Sequence, residues 1–175
     1  MKYLKLIVIS IITTTLLYSC GTAHNYSNKS LDKNFYEGKT LYFNLDPQSK
    51  KEITFSGLHA SIFGPYVPPN VENTFALALK ELSMETGLNL LYLNNSETNS
   101  DNKSHTFETN IKEISWKFGF SVATFKTVTN FKNTNDSKAI ETTGIRKSGG
   151  GDEMNNLKKS LKDATFNFLK AYEKQ

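Results

Sequence analysis

Cysteine is nearly absent: Cys20 is the single one in 175 residues. A chain with one cysteine can hold neither a disulfide framework nor a thiolate metal cluster, so a packed apolar core must carry the fold. Histidine is scarce too, with His24, His59 and His105 far apart. None has a second histidine or a carboxylate at metal-ligand spacing, and each reads as a solvated loop histidine. There is no Gly-x-Ser-x-Gly segment, and no P-loop, because Gly149-Gly150-Gly151 is followed by Asp152 and Glu153 rather than by lysine and serine or threonine. Those carboxylates would repel an anion at the following helix start, so the glycines read as a connection. Glu113 alternates with Ser115 and Lys117 and reads as a solvated strand residue. Nothing here supports an enzyme, a metal or a cofactor.

What is present begins with apolar patterning. Leu41, Phe43 and Leu45 alternate with Thr40, Tyr42 and Asn44, which predicts a strand over 39–45 ended by Asp46-Pro47. A second short strand is expected over 52–56, then a proline-rich loop over 57–69. Asn70 can cap a helix in which Val71, Phe75, Leu79 and Leu82 recur at three and four; Gly87 stops it. Leu88–Leu93 reads as a brief strand and 94–104 as an exposed loop. Ile114, Trp116, Phe118, Phe120 and Val122 share one parity, so 111–122 reads as a half-buried strand with Trp116 against the helices. The parity changes by Phe125, which predicts a bulge or bend near Ala123–Thr124. A turn over 133–137, a strand over 138–145 and a helix capped by Asp152 complete the chain. Phe166 and Leu169 fall off that helix's main stripe, so its end is either wrapped by other chain or open for contact. The expectation is an α+β fold: a two-layer, mostly antiparallel sheet with two helices packed on one face.

The N-terminus has a different character. Lys2 and Lys5 precede the apolar stretch Leu6–Leu17, which closes in Leu17-Tyr18-Ser19-Cys20. A basic start and an apolar centre too short to span a bilayer match a secretory signal. The tetrapeptide resembles the bacterial lipobox, although Tyr18 replaces the usual small residue. The resemblance implies a signal peptide over 1–19, cleavage before Cys20 and acylation of Cys20. Two or three acyl chains, at about 0.8 kcal/mol per buried CH₂, make such an anchor effectively permanent. The polar stretch after Cys20 reads as a flexible tether through residue 38, with a single domain over 39–175. Losing Lys2 and Lys5 lowers the formal charge from +4 to +2. So mild a balance, on an exported chain, argues against nucleic acid.

One further segment stands out. Ile62, Phe63, Tyr66 and Val67 lie among Pro65, Pro68 and Pro69, and are candidate partner-binding residues or a lid on the core. The layout of lipobox, tether, strand–helix–strand, long hairpin and terminal helix resembles small outer-membrane accessory lipoproteins such as the lipopolysaccharide-assembly lipoprotein LptE. That resemblance implies a non-enzymatic accessory protein, anchored to a membrane through Cys20 and binding another envelope protein. No Asp or Glu occurs from Gly21 to Leu31, and among lipoproteins this implies an outer-membrane location facing the periplasm. The alternatives are a small-ligand or glycan-binding lipoprotein, or a periplasmic hydrolase.

Overall fold

Alternation and capping build most of the elements near their expected places, but the helices number three among the described residues where two were expected, the extra one being the short helix Lys33–Tyr36. The computed structural model describes residues 24–58, 68–94, 104–136, 138–148 and 151–175. In chain order they form α1 (Lys33–Tyr36), β1 (Thr40–Leu45), β2 (Thr54–Gly57), α2 (Val71–Thr86) and β3 (Asn89–Tyr92). The long strands β4 (Ser104–Phe118), β5 (Ala123–Asn133) and β6 (Ala139–Ser148) follow, then α3 (Glu153–Tyr172). Asn70 caps α2 by accepting from the Asn73 N–H, and Gly87 ends it in the left-handed conformation at φ 73°. Asp152 caps α3 through the Asn155 N–H.

The six strands form one mixed sheet in the order β3-β1-β4-β5-β6, with β2 beside the far half of β4. This corrects the expectation of a mostly antiparallel sheet. β1 runs parallel to both β3 and β4, and β2 parallel to β4; only β4–β5 and β5–β6 are antiparallel. Alternation reports which face of a strand is wet and carries no record of a neighbour's direction. The β1–α2–β3 unit is a crossover, and a crossover through a helix brings its strands side by side in parallel.

Both long helices cover the same face. The Phe43 ring on β1 meets Phe75 of α2 at 6.4 Å and Phe168 of α3 at 6.0 Å. Phe107 and Phe131 join them from β4 and β5. The other face is polar, crossed by ion pairs such as Lys126–Glu113 and Lys112–Glu141. Helix α3 lies unusually close to β6. A Cβ added to Gly144 would come 1.8 Å from the Ser160 carbonyl oxygen. The outer edge of β6 is sealed in part by α3 side chains: Asn167 donates to the Thr143 carbonyl and Asp163 accepts from the Ile145 N–H. Such cover protects an edge strand from pairing with another chain.

The parity change falls elsewhere than expected. A bulge at Ile111/Glu113 inserts Lys112 into β4, so Ile111 and Ile114 both face the core. Near residue 123 there is a hairpin turn rather than a bulge: the Gly119 N–H donates to the Val122 carbonyl. β4 therefore ends at Phe118, and Phe120 and Val122 leave the buried face. Trp116 is buried as expected, with its ring contacts made to Phe55, Phe118 and Phe125.

Candidate functional site

Residues 24–38, expected to belong to a tether, lie along the domain. Tyr26 is only 1% exposed. Its ring stacks on Phe166 of α3 with centroids 4.3 Å apart, and its hydroxyl donates to Asp163 Oδ1 at 2.6 Å. Its N–H donates to Glu85 of α2. Further along, the Tyr36 hydroxyl donates to the Leu169 carbonyl at 2.6 Å, and Phe35 packs edge-on against Tyr172. The two α3 residues off the main stripe, Phe166 and Leu169, are therefore wrapped by the chain's own N-terminal segment. The physical reason is aromatic payload: a buried Tyr removes enough apolar area from water to outweigh the ordering of a polar stretch.

His24 corrects a second expectation. It is not a solvated loop residue but is buried, with Nδ1 3.4 Å from the Tyr26 hydroxyl. Burial pushes its pKa down to about 4; Asp163 opposes this, while Arg146, Lys162 and Lys159 reinforce it. Arg146 comes from β6 and the two lysines from α3, whose Lys158 and Lys162 both reach Glu81 of α2. Lys162 also reaches Glu85 at 2.7 Å. Burial raises Glu81, but hydrogen bonds and charge from the two lysines hold it below the usual carboxylate range. Burial and the neighbouring Arg146 depress Lys159. His105 sits on β4, half-buried, with Nδ1 3.1 Å from the Tyr172 hydroxyl. Among the described residues no group of three or more His, Cys, Asp or Glu could hold a metal. No helix among them is long and apolar enough to cross a membrane.

The end of the sheet nearest His24 carries a feature the sequence misplaced. Phe120, at the β4–β5 turn, is 99% exposed, with Val122 beside it at 38%. Leu58, whose N–H donates to the Phe118 carbonyl, and Met154 in the first turn of α3 are also exposed. At the opposite end, an open groove of about 560 Å³ runs between α1 and the start of β3, past Lys33, Lys39, Thr86 and Asn89. Most of its lining side chains are polar, some exposed and some half-buried.

The candidate residues Cys20, Ile62, Phe63, Tyr66 and Val67 lie outside the described residues, as do His59, Gly149 and Gly150. Glu113 stands on the polar face, bonded to Ser115 and Lys126. No family model matches the chain, and no curated protein matches it. Among solved structures, a PelC dodecamer from Paraburkholderia phytofirmans shares 8% identity at a TM-score of 0.36, over 76% of this chain and 87% of that one. An uncharacterized protein shares 8% identity at 0.36, over 78% and 90%. Likeness at this level assigns no function.

Proposed function

We propose that this chain is a lipid-anchored cell-envelope protein, a non-enzymatic accessory factor held by Cys20 in the outer membrane, facing the periplasm. The observation that carries this reading is the order of basic start, apolar centre and Leu17-Tyr18-Ser19-Cys20. The folded domain follows directly: only Gly21, Thr22 and Ala23 separate Cys20 from His24. Ile62, Phe63, Tyr66 and Val67 are the proposed partner contact, because flanking prolines limit the entropy lost on binding. Tyr66 is the preferred anchor, since Tyr is enriched among binding hot spots.

The test is Cys20→Ser in cells. It should release the protein from membranes or block its maturation, and mass spectrometry of the parent should find acylated Cys20 at the mature N-terminus. A mature chain that begins elsewhere overturns the reading. Protease added to intact cells should leave the domain whole if it faces the periplasm. Tyr66→Ala should keep parental stability but lose crosslinking to an envelope partner; normal crosslinking removes the binding assignment.

A further inference from the structure

The short leash between Cys20 and the domain constrains orientation. Tyr26 is locked onto α2 and α3, and His24, the first described residue, stands four residue steps after Cys20. Four residue steps span at most about 14 Å fully extended. An acylated Cys20 sits at headgroup level, so the part of the domain around His24 must stay close to the bilayer. That part adjoins one end of the sheet, where β4, β5 and β6 meet: Phe118 pairs with Ala123, Ala123 with Ser148, and Phe125 with Arg146. His24 Nδ1 lies 3.4 Å from the Tyr26 hydroxyl, which donates to Asp163, and Asp163 accepts the Ile145 N–H three residues before the end of β6.

We propose that this end of the domain docks onto the phospholipid surface that holds Cys20, with Phe120 entering the boundary between headgroups and acyl chains. The inference rests on the lipid-anchor reading. Three observations favour a bilayer as the occupant. The chain length places the membrane within reach of this end. Phe120 is fully exposed at a turn, and Val122, Leu58 and Met154 are exposed around it; apolar side chains at such a tip gain by leaving water for the acyl boundary. Basic side chains accompany them: Lys117 and Lys147 are exposed, and Arg146 and Lys159 half-exposed, which suits anionic headgroups. Of the acidic residues near this end, Asp163 is bonded to Tyr26 and Ile145, Asp152 caps α3 by accepting the Asn155 N–H, and Glu153 lies in the first turn of α3.

The probe is the mature acylated protein reconstituted in vesicles of phosphatidylethanolamine and phosphatidylglycerol. Cys20 is the sole cysteine and its sulfur is consumed by the anchor. Ser121→Cys at the tip and Asn135→Cys at the opposite end can therefore each take one environment-sensitive fluorophore. The label at 121 should shift to the blue and be quenched several-fold more strongly by doxyl-lipids than the label at 135. Adding Phe120→Ser should abolish most of that difference while the protein still sediments with vesicles. Replacing phosphatidylglycerol by phosphatidylcholine should weaken the quenching. Equal quenching at both positions, with the protein still anchored, overturns the docking and leaves the anchor reading standing. A parent protein that carries no acyl group overturns both.

Discussion

The hydroxyl of Tyr26 donates to Asp163 across 137 residues of chain, at 2.6 Å. The same carboxylate uses its second oxygen to accept the Ile145 N–H at the edge of β6, at 2.8 Å. One side chain of α3 thus fastens the N-terminal segment and closes a sheet edge. Under the proposed anchor at Cys20 the consequence is mechanical: if Tyr26 let go, the first firm attachment of the chain to the domain would move from His24 and Tyr26 on towards α1.

Tyr26→Phe keeps the stack on Phe166 and removes only the donor to Asp163. A hydrogen bond to a charged group contributes roughly 1.5–3 kcal/mol. The expected loss is of that size, and urea unfolding should show a lower midpoint with an unchanged slope. An unchanged midpoint would mean that water replaces the hydroxyl at no cost.

Acid should loosen the same joint. His24 titrates at about 4 when folded, because burial disfavours its charged form, against about 6.5 when unfolded. Between those values the unfolded chain binds the extra proton, so stability is full above pH 6.5 and falls as pH drops towards 4. Glu81, held below its ordinary value by Lys158 and Lys162, loses stabilisation in the same direction, below its unfolded value. His24's share is on the order of 1–2 kcal/mol after allowance for its partial hydration. Denaturant titrations at pH 7.5 and pH 4.5 should show a smaller pH effect for His24→Gln than for the parent. Equal effects would place the acid sensitivity in the carboxylates alone.

The residues that announced themselves in sequence are those whose signals are local. Asn70 and Gly87 bound α2, and Asp152 opens α3, because caps are satisfied within three or four residues. The alternation of β1 was legible for the same reason. Tyr26 was not: its partners Glu85, Asp163 and Phe166 come from two distant helices, and its own neighbours are polar. Phe120 misled because it keeps the parity of Trp116, while a turn starting at Gly119 takes it off the sheet. The joined parallel strands left no trace, since a strand's side chains record burial and not partner direction. Of the candidate site, the Leu17-Tyr18-Ser19-Cys20 motif was readable, whereas the end near His24 needed the fold to assemble it.

Trp116 tests the end of the sheet where β2 and β4 meet. It is buried among Phe55, Phe118 and Phe125. Truncating a large buried aromatic costs about 3–5 kcal/mol through lost transfer energy and the cavity left behind. Trp116→Ala should therefore lower the thermal midpoint by roughly 6–20 degrees for a domain of this size, or prevent folding. A midpoint within a degree or two of the parent would contradict the placement of β4.

Gly144 offers the sharpest separation between two kinds of glycine. It sits in β6 with no positive φ, so no backbone strain demands glycine there; space does. An added Cβ would meet the Ser160 carbonyl oxygen at 1.8 Å and the Ala164 nitrogen at 2.7 Å, both backbone atoms of α3. Backbone cannot step aside as a side chain can, so the helix would have to lift from the strand. That movement would stretch the Ser160 bond to the Gly144 carbonyl, the Thr142 bond to the Ala164 carbonyl and the Asp163 bond to Ile145. Overpacking of this kind costs typically 1–3 kcal/mol and more when rigid backbone must shift, so Gly144→Ala should lose about 3 kcal/mol or more. Gly87 is the contrasting case: it has φ 73° at the end of α2 and open space where a Cβ would stand. Gly87→Ala should therefore lose only the left-handed strain of roughly 1–2 kcal/mol. Because Asp163 also holds Tyr26, Gly144→Ala should further expose the N-terminal segment to limited proteolysis, and Gly87→Ala should not. If the two variants unfold at the same denaturant concentration, the close approach of α3 to β6 is wrong.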